Sequence, residues 1–164
     1  MKIAVTGHRP QKLGGFSEQV FQLLVAFATR MLNAYKPTEV ITGMALGWDQ
    51  AVAMACVQMH IPFTAAIPCV EQERKWISGK ERYYWLLQQA YHKVLVTDAP
   101  YTAYLMQVRN EWMVNECDVL VALWDGSSGG TGNCVAYAQR VGKPIKQVWD
   151  PWLRFQQWAA TRNR

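Results

Sequence analysis

The chain has 164 residues, 51% hydrophobic and 18% charged, which fits one folded domain with its own core and excludes a disordered polymer. No apolar run approaches the roughly 20 residues of a membrane-spanning helix, and the apolar start of MKIAVTGHRP ends at Thr6, too soon for a secretory leader, so no membrane partner and a cytoplasmic location are expected. A net charge of +5 without a long Lys/Arg tract favours anionic partners such as nucleotides or nucleic acid.

KIAVTG is a β-branched run ending in glycine and predicts a first strand. SEQVFQLLVAFATRMLNAY follows with apolar residues at helical spacing and Ser17 as its N-cap. TEVITG predicts a second strand, WDQAVAMACVQMH a second helix and PFTAAIP a third strand. EQERKWISGKERYYWLLQQAYH reads as a broken or bent helical region, KVLVTD as a fourth strand and YLMQVRNEWMVNEC as a helix. DVLVALWDG, GNCVAYAQRVG and KPIKQVW predict a strand, a helix and a last strand, and PWLRFQQWAATRNR a terminal helix.

Strands alternating with helices imply an α/β protein: a Rossmann-like, doubly wound, mainly parallel sheet with helices on both faces, in a single domain. Residues 1–148 form that domain, and 149–164 a helical tail belonging to it. In such sheets ligands bind beyond the carboxyl ends of the strands, near the point where the strand order reverses. Four strand ends carry unusual chemistry.

After the first strand come Thr6, Gly7, His8 and Arg9, where the arginine fork suits a phosphate. After the second come Gly43 and Gly47 flanking a turn, with Asp49 in the first helical turn, placed either to complement the helix dipole or to bond a ribose hydroxyl or base amine. The helix before the fifth strand carries Arg109 and Asn110, and Met113 shares the face of Arg109. After the fifth strand, Asp125 leads into Gly129, Gly130 and Thr131, with Ser128 a further hydroxyl. Glycines there let backbone N–H groups approach an anion at a helix N-terminus. The loop matches neither G-x-x-x-x-G-K-[ST] nor G-x-G-x-x-G, which disfavours a Walker-type NTPase. Trp48 and Trp124 flank these loops and offer either faces for base stacking or core packing, which explains most of the eight tryptophans. The four cysteines and three histidines are dispersed, so buried reduced thiols are expected, with no metal site and no cofactor.

VTGHRPQKLGG, ITGMALGWDQ, VRNEWMVNECDVLVALWDG and GGTGNCVAYA together resemble the DUF1273/YpsA group of the SLOG superfamily, typified by the Lonely Guy and DprA proteins. The resemblance runs from residue 1 to about 148 and implies a Rossmann-like domain that binds a nucleotide or nucleotide-derived ligand. Lonely Guy enzymes split a nucleoside monophosphate into base and ribose phosphate through P-G-G-x-G-T-x-x-E, preceded by a helix with R-K-x-x-M. Arg109 and Met113 keep the helix pattern, but Ala136 stands where those enzymes carry glutamate. An N-glycosidic cleavage builds positive charge on the ribose, and alanine can neither stabilise it nor activate water. Asp125, Glu111 and Asp49 are the acids that could substitute.

The leading expectation is therefore a sensor or sequestering protein without phosphoribohydrolase turnover and with no catalytic residues of its own. A nucleotide hydrolase comes second. A DprA-like single-strand binder comes third, on the charge and on ERKWISGKERYYW, where cations interleave with aromatics. A homo-oligomer is expected by analogy with related domains.

Overall fold

The computed structural model describes residues 1–162. Six strands, β1 (Lys2–Gly7), β2 (Glu39–Thr42), β3 (Phe63–Ile67), β4 (His92–Leu95), β5 (Val119–Leu123) and β6 (Ile145–Gln147), make one sheet in the order β4-β3-β2-β1-β5-β6. Every pairing is parallel, so every connection must cross over, and each carries a helix. These are α1 (Glu18–Tyr35), α2 (Trp48–Met59), α3 (Lys80–Gln89), α4 (Ala103–Glu116) and α5 (Gly130–Arg140), with α6 (Trp149–Arg162) closing the chain. The expected terminal helix is present to Arg162; positions 163 and 164 lie outside the described residues.

The period-two alternation of β1 decides what each face covers. Ile3 and Val5 point into the larger core, built with α1, α2, α3 and α6. Ala4 points the other way and meets Ile41, Ala66 and Leu120 beneath α4 and α5. On the larger side Phe27 of α1 lies 5.6 Å from Trp48, 5.4 Å from Trp152 and 5.4 Å from Phe155 between ring centroids, an aromatic cluster that ties α1, α2 and α6 together. The hydroxyl of Ser17 caps α1 by accepting the Val20 N–H at 3.1 Å, as its sequence position predicts.

Most elements shift by one to three residues at their edges from expectation, and the break expected in the region after the third strand is present. The fourth strand was expected over 93–98 but spans His92–Leu95, because its only partner, β3, ends at Ile67 opposite Leu95. Turns occupy 71–75, and α3 starts only after Gly79, whose φ of +89° breaks the path into the helix.

Candidate functional site

The strand order reverses between β1 and β5, and at their carboxyl ends lies a cavity of about 550 Å³. Its floor is the end of β1, one bank is α4, and the other is the glycine loop entering α5.

Of the thirteen residues expected at a site, ten line this cavity: Thr6, Gly7, His8, Arg9, Asp49, Arg109, Asn110, Gly129, Gly130 and Thr131. Gly43, Gly47 and Asp125 stand behind it and shape those that do. Gly43 leaves room for the Arg109 guanidinium, since a Cβ there would fall 2.3 Å from Nη1. Gly47 has a φ of +92° and lies against the His8 carbonyl, so it backs the β1 loop.

Arg109 is 4% exposed. Its Nη1 donates to the carbonyls of Gly43 at 2.6 Å and Ala66 at 3.3 Å, and its Nε to Oδ1 of Asn110 at 3.1 Å. The cation is thus fixed under the cavity by the ends of β2 and β3. Asn110 also donates from Nδ2 to the Gly130 carbonyl at 3.4 Å, which joins the two banks.

Asp125 holds the β1 loop to the glycine loop. Its Oδ1 accepts the Ser127 N–H at 2.9 Å and the Ser127 hydroxyl at 2.5 Å, and Lys12 lies 3.6 Å from Oδ2. Those Ser127 bonds hold its carboxyl well below the usual carboxylate range, with His8 adding to the effect. His8 Nε2 lies 3.0 Å from the Asp125 N–H and 2.9 Å from Asp125 Oδ1, two contacts that one ring nitrogen serves only in turn. Burial outweighs the carboxylate beside it and lowers the His8 pKa, so the neutral ring is favoured.

Asp49 is the one acid on the cavity wall among the described residues. The preceding turn passes through Met44 in the left-handed region (φ 63°), held by Gln50 Nε2 donating to its carbonyl at 3.2 Å. That turn aims the Ala45 N–H at Asp49 Oδ2, 3.3 Å away. Desolvation raises the carboxyl's pKa, opposed in part by Arg109 and Arg9. A carboxyl raised in the folded state binds more protons there than in the unfolded chain. Stability is therefore lost as pH climbs from the unfolded value of about 3.9 through the folded one. Asp49→Asn, which does not titrate, is expected to be more stable than wild type at pH 8, with the gap narrowing towards pH 4. Urea melts at the two pH values check this, and a gap that widens on acidification contradicts it.

The glycine loop ends at Gly129, whose φ of 141° is a glycine conformation, and no side chain caps the α5 N-terminus. A Cβ on Gly130 would meet nothing within 4 Å. The first turn of α5 is therefore open towards the cavity.

Sequence reasoning missed Gln11, Lys12, Tyr101, Met106, Gln107 and Asn133, which also line the cavity. The signal for part of α4 was available: Met106, Arg109, Asn110 and Met113 follow i, i+3, i+4, i+7 and share one face. Neither tryptophan beside the loops lines the cavity. Trp48 is fully buried under Gly7, and Trp124 braces the loop by donating Nε1 to the Ser127 carbonyl at 2.7 Å. Ala136 is exposed on α5 and is not part of the cavity wall, nor is Glu111. All four cysteines are buried and unpaired. No helix among the described residues is long and apolar enough to cross a membrane.

A six-stranded parallel sheet with a cavity at its reversal point defines a Rossmann-like α/β domain. The chain belongs to the YspA SLOG family, whose model matches residues 3–147. It is 29% identical to the uncharacterized SPbeta prophage-derived protein YoqJ of Bacillus subtilis (strain 168), over 71% of this chain and 78% of that one. Its fold is similar to DNA processing protein A (DprA) from Streptococcus pneumoniae, at 18% identity and a TM-score of 0.62, over 89% of this chain and 49% of that one. The chain thus spans about half of DprA. It is also similar to the molybdenum cofactor binding protein from the phototrophic bacterium Rippkaea orientalis, at 15% identity and a TM-score of 0.58, over 89% of this chain and 74% of that one.

Proposed function

We propose that the protein binds a nucleotide or nucleotide-derived small molecule in this cavity, as a sensor or a sequestering protein, and does not cleave its N-glycosidic bond. The observation that carries the reading is the convergence, around one cavity, of the uncapped first turn of α5 with Arg9, Lys12 and the buried Arg109. A phosphate satisfies helix N–H groups and cations together. A second groove, sharing Arg9, Tyr101 and Met106 with the first, leaves room for a ligand larger than a mononucleotide.

The same wall argues against turnover. Asp49 is its only acid among the described residues, and burial disfavours the charge that an oxocarbenium-like transition state requires. The nucleic-acid reading has less support. DprA is a DNA processing protein by name, but in the basic-aromatic stretch Tyr83 is buried, Trp76 packs on it at 5.1 Å, and Arg82 is held by Glu18 and the Phe21 ring. Tyr84 and Trp85 remain exposed there.

Native mass spectrometry of the purified protein is expected to reveal a retained small molecule, or uptake of one from a nucleotide mixture, and incubation with AMP, GMP, CMP and UMP to release no base above a no-protein control. Base release at enzyme-like rates, lost in Gly130→Asp, would make the cavity an active site.

A further inference from the structure

Past Arg9, Tyr101 and Met106, which line both, the cavity continues into the second groove, about 890 Å³ in volume, between the segments that follow β3 and β4. The first of these segments is fixed from behind. Gln72 is buried and donates from Nε2 to the Gly43 carbonyl at 3.4 Å and to the Tyr83 hydroxyl at 3.1 Å. The buried Glu73 accepts the Tyr84 hydroxyl at 3.1 Å. The Val70 N–H donates to the Ala99 carbonyl at 3.2 Å and ties the two segments together. Between these anchors Glu71 takes a φ of 58°, a conformation that a residue with a side chain keeps only where its surroundings fix it.

The chemistry of the groove differs from that of the glycine loop. Three cations, Arg9, Arg74 and Lys75, line it with two acids, Glu71 and Asp98, and all five are exposed. None of the five takes part in an ion pair among the described residues. Carboxylates accept from sugar hydroxyls or base N–H groups, and the half-exposed ring of Tyr101 offers a face to a planar group. Arg9 stands where groove and cavity meet, so its fork can take a phosphate separate from the one at the first turn of α5. We infer that the ligand has two units joined through a diphosphate: a nucleotide in the first cavity and a second unit, a sugar or a nucleoside, in the groove beyond Arg9. The inference rests on the nucleotide reading and extends it to the far side of the phosphate. A mononucleotide fills the first cavity alone and leaves the charges of the groove in water.

The double variant Arg74→Glu, Lys75→Glu reverses two charges of the groove and touches no residue lining the first cavity. Both positions are exposed, so it should fold with an unchanged Tm. Calorimetry ranks AMP, GMP, CMP and UMP, then compares the tightest with its symmetrical pyrophosphate-linked dinucleotide and its diphosphate-glucose ester. At pH 8 all three carry about two negative charges, so long-range attraction to the protein is matched. Wild type should bind a two-unit compound at least about tenfold more tightly than the mononucleotide. The charge-reversed variant should lose that advantage and keep its mononucleotide affinity. A dinucleotide that outbinds the glucose ester assigns a base to the groove; otherwise a sugar suffices. Two-unit compounds that bind no better than the mononucleotide, or an advantage that survives the charge reversal, overturn the inference and leave the nucleotide reading standing. A wild-type protein that binds none of these compounds overturns both.

Discussion

Gly130→Asp should reduce nucleotide affinity by at least about 100-fold while leaving the protein as stable as wild type or slightly more so. The two effects share one cause. Position 130 opens α5, where a carboxylate meets the positive end of the helix dipole and contributes about 0.3–1 kcal/mol to stability. The backbone there is not in the left-handed region, and a Cβ meets no neighbouring atom, so the side chain enters without strain. The carboxylate then occupies the position a phosphate would take. Two charges about 4 Å apart repel by roughly 4 kcal/mol at the effective dielectric of a protein surface, which allows a loss beyond 100-fold. Gly130→Ala serves as the control for bulk and should keep most of the affinity. Calorimetry paired with thermal melts reads both quantities, and unchanged affinity in a folded Gly130→Asp removes this loop from the site.

Arg109→Met should lower stability by about 3–5 kcal/mol, with a Tm drop on the order of 10 °C. The methionine fills the space but cannot donate, so the carbonyls of Gly43 and Ala66 lose the guanidinium at the ends of two central strands, and Gly43 keeps only the longer bond from Gln72 Nε2 at 3.4 Å. Asp49 also loses the strongest of the positive charges that offset its burial. Against a total stability of about 5–15 kcal/mol for an ordinary domain, the loss is severe. Arg109→Lys should recover little, because one ammonium group cannot span Gly43, Ala66 and Asn110 as the planar fork does. Urea denaturation checks both variants. A Met variant within 1 kcal/mol of wild type would mean that this arginine serves the ligand alone.

The fold was largely legible in the sequence because its signals are local. Several strands are short β-branched runs closed by turn residues, as in β1 and β2, and α1 carries a clear apolar stripe, so element type follows there without tertiary information. The candidate site was legible where residue type and place both speak, as with Thr6, His8 and Arg9 just beyond β1 or the glycines before α5. It was illegible where the direction of a side chain decides. Gln107 is an ordinary polar helical residue until the face of α4 that turns inward is known. Trp48 stands beside a loop in sequence, yet as the first residue of α2 its ring turns beneath Gly7 into the core. Asp125 follows its strand as a ligand-binding acid would, but the Ser127 turn and His8 take up its oxygens.

The pairing of β1 with β5 bears on when this cavity comes into being. Ile3 aligns with Val119 and Gly7 with Leu123, so the floor of the cavity and the glycine loop become neighbours only after a long intervening stretch of chain has been ordered. Contacts so distant in sequence are costly to close and tend to form late. During synthesis, a nascent chain that ends before β5 carries Arg9, Lys12 and Arg109 but lacks the α5 bank entirely, and with it the helix N-terminus that completes the cavity. On the proposed reading, a ligand stabilises finished molecules more than partly made ones, so its binding reports on completed folding.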